Sequence, residues 1–185
     1  MTVLLLAKGK NLGQIFGVII TILYSIVSFK NKFYGEVLIY LIIMLPMYII
    51  GIFTWIRHKN KETDSVEINQ ISIKEWTIVA IIFIAIFVGI YYLLKAFNTS
   101  ELIVSTISVL ASLFACYLQI RRSKFSFGFY IINDIILIVL WGIPVIKGNM
   151  VLLPMLLNPT INFINDNYGF YNWRKLEKKQ KGGTV

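Results

Sequence analysis

An all-α, polytopic membrane protein is the fold class this chain predicts, and three observations predict it. The 185 residues are 57% hydrophobic and only 15% charged, with a mean hydropathy of +0.74, whereas soluble domains run at about 45–50% apolar and about 25% charged. The apolar residues gather into runs close to the roughly 20 residues that cross a bilayer core as a helix. The charged residues fall between the runs, on alternating sides. Barrel strands are excluded, because they alternate over about ten residues and these runs are longer and evenly apolar.

Six runs are visible, at residues 12–29, 34–56, 76–97, 102–120, 125–146 and 150–173. The first lies between Lys10 and Lys30, and the second between the FYGE element and Arg57. A charged stretch, HKNKETDSVEINQISIKE at 58–75, divides the chain before the third run. The fourth carries the lone Cys116, a small hydrophobe in an apolar setting, and the fifth carries Asn133, Asp134 and Trp141. The sixth is unusually polar, with Asn158, Asn162, Asn165, Asp166 and Asn172. Pro46, Pro144, Pro154 and Pro159 lie in or at the ends of runs, where a missing N–H favours a bend or a hinge.

Charge placement decides the orientation. Lys8, Lys10, Arg57, Lys59, Lys61, Lys74, Arg121, Arg122, Lys124, Arg174, Lys175, Lys178, Lys179 and Lys181 share one face, fourteen of the eighteen Lys and Arg, leaving Lys30, Lys32, Lys95 and Lys147 on the other. The positive-inside rule puts that face, and both ends of the chain as given, in the cytoplasm of a cell inner membrane. The net charge of +9 is thereby spent on topology, and no nucleic-acid partner is expected. The KLEKKQK tail reads as a solvated charge run. With one Cys and one His, His58, neither a disulfide nor a metal site is expected. No Gly-rich phosphate loop or Ser/His/Asp set is present, so the sequence predicts no enzyme and no cofactor.

The two halves rhyme. Gly51, Phe53 and Trp55 recur as Gly169, Tyr171 and Trp173, a G-x-[aromatic]-x-W pattern offset by 118 residues and followed by Arg57 or Arg174. Both copies meet the basic face, so the repeat is parallel, related by an axis along the membrane normal. Taken singly, each Gly and Trp reads as close helix packing with an interfacial anchor.

The run FINDNYGFYNWRKLEKKQ, the FYGE and G-x-x-x-W elements and FGFYIINDIILIVLW together resemble the PnuC family of bacterial vitamin transporters, over essentially the whole chain. The resemblance implies two parallel three-helix bundles joined by a central helix, with a substrate site enclosed between the bundles. On that pattern residues 1–57 form a first bundle, 58–75 a cytoplasmic linker, 76–97 the connecting helix, 101–174 the second bundle and 175–185 a basic tail. The family has seven spans and this sequence six. Its opening TVLLLAKGKN resembles the end of the first family helix, so the first bundle is expected to be completed by residues encoded upstream or by a partner chain.

A buried polar stripe marks the predicted site, since amides at membrane depth are costly unless they face protein or water. Asn158, Asn162, Asn165 and Gly169 are spaced i, i+4, i+7 and i+11, within one helical sector. The repeat offset maps that stripe onto Tyr40, Met44, Met47 and Gly51, with Tyr48 beside them. One wall then offers amides and the other an aromatic ring and thioethers, which suits a ligand with a flat ring and hydroxyls. Trp141, Asn133 and Asp134 join the candidates. Asn133 and Asp134 read equally as bonds between helices, and Asp166 as a cap or a partner of a basic loop residue.

The resulting expectation is a transporter of nicotinamide riboside. On the family pattern it works by facilitated diffusion and alternating access, with a cytoplasmic kinase trapping the substrate. Another vitamin or nucleoside (thiamine, riboflavin or a deoxynucleoside), a proton-coupled variant, and a non-transporting membrane subunit remain open, as does assembly into a homo-oligomer.

Overall fold

The computed structural model describes residues 2–30, 39–97 and 101–182. Helices dominate it, in the order α1 (Thr2–Ala7), α2 (Leu12–Lys30), a π-helical turn (Ile39–Met44) running into α3 (Leu45–Arg57), a hairpin of β1 (Lys59–Asn60) and β2 (Ser65–Val66), α4 (Ile73–Ala96), α5 (Leu102–Ile120), α6 (Phe125–Ile146), and a 3₁₀ turn (Met150–Leu152) leading into α7 (Leu153–Gln180). The three helices α4, α5 and α6 are long and apolar enough to cross a membrane, and α2 and α3 contribute shorter apolar stretches. Part of the second predicted run, residues 34–38, lies outside the described residues.

Local chemistry explains the element ends. Pro46 in the first turn of α3 lacks an N–H, and the widened π register ahead of it absorbs the interruption. Ser72 caps α4 by accepting from the Glu75 N–H at 3.2 Å, the S-x-x-E arrangement of a capping box. Glu75 then ties α4 to the end of α5, pairing with Arg121 at 2.6 and 2.8 Å and accepting from the Tyr117 hydroxyl at 2.8 Å.

Neighbouring helices pack in chain order, α2 on α3, α4 on α5, α5 on α6 and α6 on α7. Two contacts cross between the halves: α1 lies against α7, and α3 against α5. Helix α4 is peripheral, with Val79 its one buried residue. The large apolar side chains left exposed, such as Ile81, Ile84 and Val88, face outward as lipid-facing side chains do.

The basic end is more ordered than a solvated linker and tail. Helix α7 continues past Trp173 to Gln180, and Glu177 is buried on its inner face. Glu177 accepts from Lys124 at 2.6 Å, Gln70 at 2.7 Å and Lys181 at 3.2 Å. Gln180 accepts from the Ile68 N–H at 2.9 Å and donates to the Val66 carbonyl at 3.0 Å. Val66 N–H reaches the Gly9 carbonyl at 2.9 Å, and Asn69 N–H the Arg122 carbonyl at 3.0 Å, so residues 58–72 strap α1, α5 and α7 together. The sequence reading missed this because the tail has one inward stripe, Trp173, Glu177 and Gln180, hidden among lysines.

Burial raises the Glu177 carboxyl, but the bonds from Lys124, Gln70 and Lys181 outweigh it and hold the group at about 2, below its ordinary 4.5. Such a carboxylate stabilises the docked tail above about pH 4.5 and loses that contribution as pH falls toward 2. Hydrogen exchange of residues 174–182, corrected for intrinsic rates, is expected to rise through that window. In Glu177→Gln the rise should be absent.

Candidate functional site

The site is built upward from two tryptophans at the basic end. Trp55 and Trp173 are 1% and 0% exposed, with ring centroids 5.6 Å apart and planes at 52°. Each donates to the first helix of the other half: Trp55 Nε1 to the Gln119 carbonyl at 3.0 Å, Trp173 Nε1 to the Leu6 carbonyl at 3.1 Å. Asn172 adds a bond to the Ala7 carbonyl at 2.9 Å. The Leu6 and Gln119 carbonyls close α1 and α5, where each also accepts a backbone N–H, Leu6 from Gly9 at 2.9 Å and Gln119 from Arg122 at 3.0 Å. The paired rings thus form a floor satisfied on both sides.

Two glycines let the helices approach closely enough to seat it. A Cβ at Gly51 would lie 2.6 Å from Gln14 Oε1, and one at Gly169 2.4 Å from Phe127 Cε1. Phe127 is itself 1% exposed and packed edge-on to Trp173 at 5.2 Å, so it has no free space to yield. Gly169→Ala is therefore expected to cost about 1–3 kcal/mol as overpacking. A thermal unfolding midpoint equal to that of the parent would refute this, and Gly128→Ala, with open space around it, is the control.

Above the floor lies a layer of buried polar groups. Asp134 on α6 and Asp166 on α7 are 4% and 5% exposed, and their carboxyl groups face each other. Tyr130, one turn before Asp134, donates to Gln119 Oε1 at 2.9 Å and lies near Asp166, Tyr48 and Cys116. Asn133 accepts from the Ser108 hydroxyl at 2.6 Å, joining α5 to α6. Gln14 on α2 packs against Gly51, and the Tyr48 ring on α3 packs against Gly17 of α2 and lies near Tyr130. Gln119 Nε2 and Asp134 Oδ2, and Gln14 Nε2 beside Gly51, are buried without a hydrogen-bond partner.

The predicted site residues divide. On α7 the buried positions are Pro159, Asp166, Gly169, Trp173 and Glu177. Asn162 falls within that sector and is half-buried. Asn165, also half-buried, and Asn158, exposed, lie at its edge. Trp141 is half-buried on the outer part of α6, on the same helix as the buried Asn133 and Asp134. Met44 and Tyr48 are half-buried. Met47 turns toward an apolar groove of about 400 Å³ that it lines with Ile43, Val79, Phe83, Leu113 and Tyr117. The side chain of Tyr40 lies outside the described residues.

Asp166 meets Asp134 rather than a loop cation. Gln14, Gln119, Tyr130 and Ser108 were not legible as site residues. Tyr130 and Asp134 at i and i+4 were the available signal, while the two glutamines, near run ends, look like interfacial polar residues.

Chemically, the layer offers acceptors at the aspartates, a donor at the Gln119 amide, and rings at Tyr48 and Tyr130. Among the described residues every ion pair sits near the basic end and none reaches Asp134 or Asp166.

Comparisons with known proteins agree on one family. The chain matches the nicotinamide mononucleotide transporter family over residues 1–175. It is 28% identical to the nicotinamide riboside transporter PnuC of Neisseria mucosa, over 98% of this chain and 71% of that protein. It is 26% identical to the nicotinamide riboside transporter PnuC of Haemophilus influenzae, over 97% and 76%. A crystal structure of the vitamin B3 transporter PnuC superposes with a TM-score of 0.77 at 26% identity, covering 96% of this chain and 77% of that one. With a match along almost its whole length and the same helical fold, the chain is a multi-pass membrane protein that belongs to the nicotinamide mononucleotide transporter family.

Proposed function

We propose that this chain carries nicotinamide riboside across the inner membrane by facilitated diffusion, with the basic end in the cytoplasm. The observation that carries this reading is the buried polar layer over the Trp55–Trp173 floor. It offers a flat ring rings to lie against and offers hydroxyls and a carboxamide both donors and acceptors, with unpartnered atoms already in place. Alternating access then requires the floor to part at the basic end, where the bonds from Trp55 to α5 and from Trp173 to α1 join the two halves. Trapping falls to a separate cytoplasmic kinase, because phosphorylation adds charge that the membrane excludes. The two relatives named as nicotinamide riboside transporters support the substrate.

The test is uptake of labelled nicotinamide riboside into proteoliposomes, with thiamine, riboflavin and a deoxynucleoside as competitors. Saturable uptake displaced by unlabelled nicotinamide riboside, and not by the others, is expected. Displacement by one competitor alone would reassign the substrate. The facing carboxyls of Asp134 and Asp166 favour one second reading, coupling to protons. Passive transport should equilibrate and stop whatever the pH gradient. Accumulation driven by a proton gradient and lost in Asp134→Asn would replace the facilitator reading.

A further inference from the structure

Asp134 and Asp166 face each other at 4% and 5% exposure, and no Lys or Arg among the described residues pairs with either. Two carboxyl groups without a basic partner are costly at membrane depth when both are charged, so they either share a proton or are met by something cationic. A second observation points to a ligand at the same place. Gln119 is 2% exposed, its Oε1 is taken by Tyr130, and its Nε2 has no partner. Tyr130 itself lies near Asp166 and Tyr48, so the ring beside the aspartate pair is hydrogen-bonded to the residue that carries the unpaired amide donor. Aromatic faces attract cations as carboxylates do, and a flat cationic ring satisfies both at once.

We propose that Asp134 and Asp166 are the charge-selective part of the substrate site, seating a cationic heteroaromatic ring, while the Gln119 amide donates to a neutral acceptor on the same ligand. This rests on the transport reading above. It extends that reading from a polar site to one that discriminates by charge, and it makes Asp134 and Asp166 selectivity residues rather than helix-to-helix bonds. Nicotinamide riboside has such a ring in its pyridinium form, and its reduced dihydro form keeps the same size without the charge.

The experiment compares uptake of the oxidised, cationic and the reduced, neutral forms in proteoliposomes of the full chain, with Asp166→Asn, Asp134→Asn and Gln119→Leu alongside. The parent is expected to favour the cation by about tenfold or more, a single factor of ten in binding. In Asp166→Asn the ratio should fall toward one. In Gln119→Leu both forms should weaken together, leaving the ratio unchanged. A ratio near one in the parent, or one that survives in both aspartate variants, overturns the proposal. So does uptake that requires sodium and is lost when potassium replaces it, because the pair then serves an inorganic ion. Should the parent carry neither form, the transport reading fails by itself, and charge selectivity is read from thermal stabilisation of the purified chain. Stabilisation by cationic thiamine but not by neutral riboflavin, lost in Asp166→Asn, supports the pair as a cation seat. Equal effects of the two vitamins refute it. Asp166→Asn keeps the shape of the side chain, and a monodisperse elution profile guards against reading misfolding as lost selectivity.

Discussion

Asn162→Leu is expected to lower specific uptake by about fivefold or more while leaving membrane insertion and yield nearly unchanged. Asn162 lies in the inward sector of α7, one turn before Asp166, and is half-buried. Leucine has the same branching and number of side-chain heavy atoms and is better tolerated by lipid, so the fold loses little. The substrate, in contrast, loses an amide that can both donate and accept. Leaving one buried ligand group unpaired costs about 1–3 kcal/mol, roughly 5- to 150-fold in affinity. Asn165→Leu, at the edge of the same sector, should have the same sign and a smaller effect. Normal saturable uptake by both variants would remove the asparagine stripe from the site.

The largest effect on stability is expected from Trp173→Ala. The side chain is fully buried, packs on Trp55 at 5.6 Å and Phe127 at 5.2 Å, and satisfies the Leu6 carbonyl. Truncating a buried aromatic of this size costs about 3–5 kcal/mol, and the Leu6 carbonyl is left with only its bond from the Gly9 N–H at 2.9 Å. Thermal unfolding in detergent should show a large fall in midpoint and a fall in yield. Tyr171→Ala, two residues away but exposed, should change stability by no more than about 0.5 kcal/mol. Trp173→Phe keeps a ring but removes the N–H and part of the packed volume, so its midpoint should fall between those of the parent and Trp173→Ala. Equal midpoints for Trp173→Ala and Tyr171→Ala would show that the floor does not join the halves.

The recurrence of Gly51 and Trp55 as Gly169 and Trp173 was legible in the chain. Its meaning was not. Each Gly and Trp also reads as close packing with an interfacial anchor, and only the packed helices show the tryptophans meeting each other and bonding across to α1 and α5. The tail shows the same limit, because a buried Glu177 among lysines is indistinguishable in sequence from a solvated charge run.

Hydropathy, run length and charge placement determined by themselves that this is a helical membrane protein and where its helices fall, because those properties are local: a bilayer tests each segment separately for about 20 apolar residues. They also singled out α6 and α7 as the polar pair. Which polar groups meet was decided only by tertiary structure. Asp134 and Asp166 lie on different helices, and whether they face each other depends on how far α6 and α7 rotate about their axes. That rotation is set by the close approach of Gly169 to Phe127 and by the Trp173 bond to Leu6, contacts between residues far apart in the chain. No periodicity within a single helix encodes it.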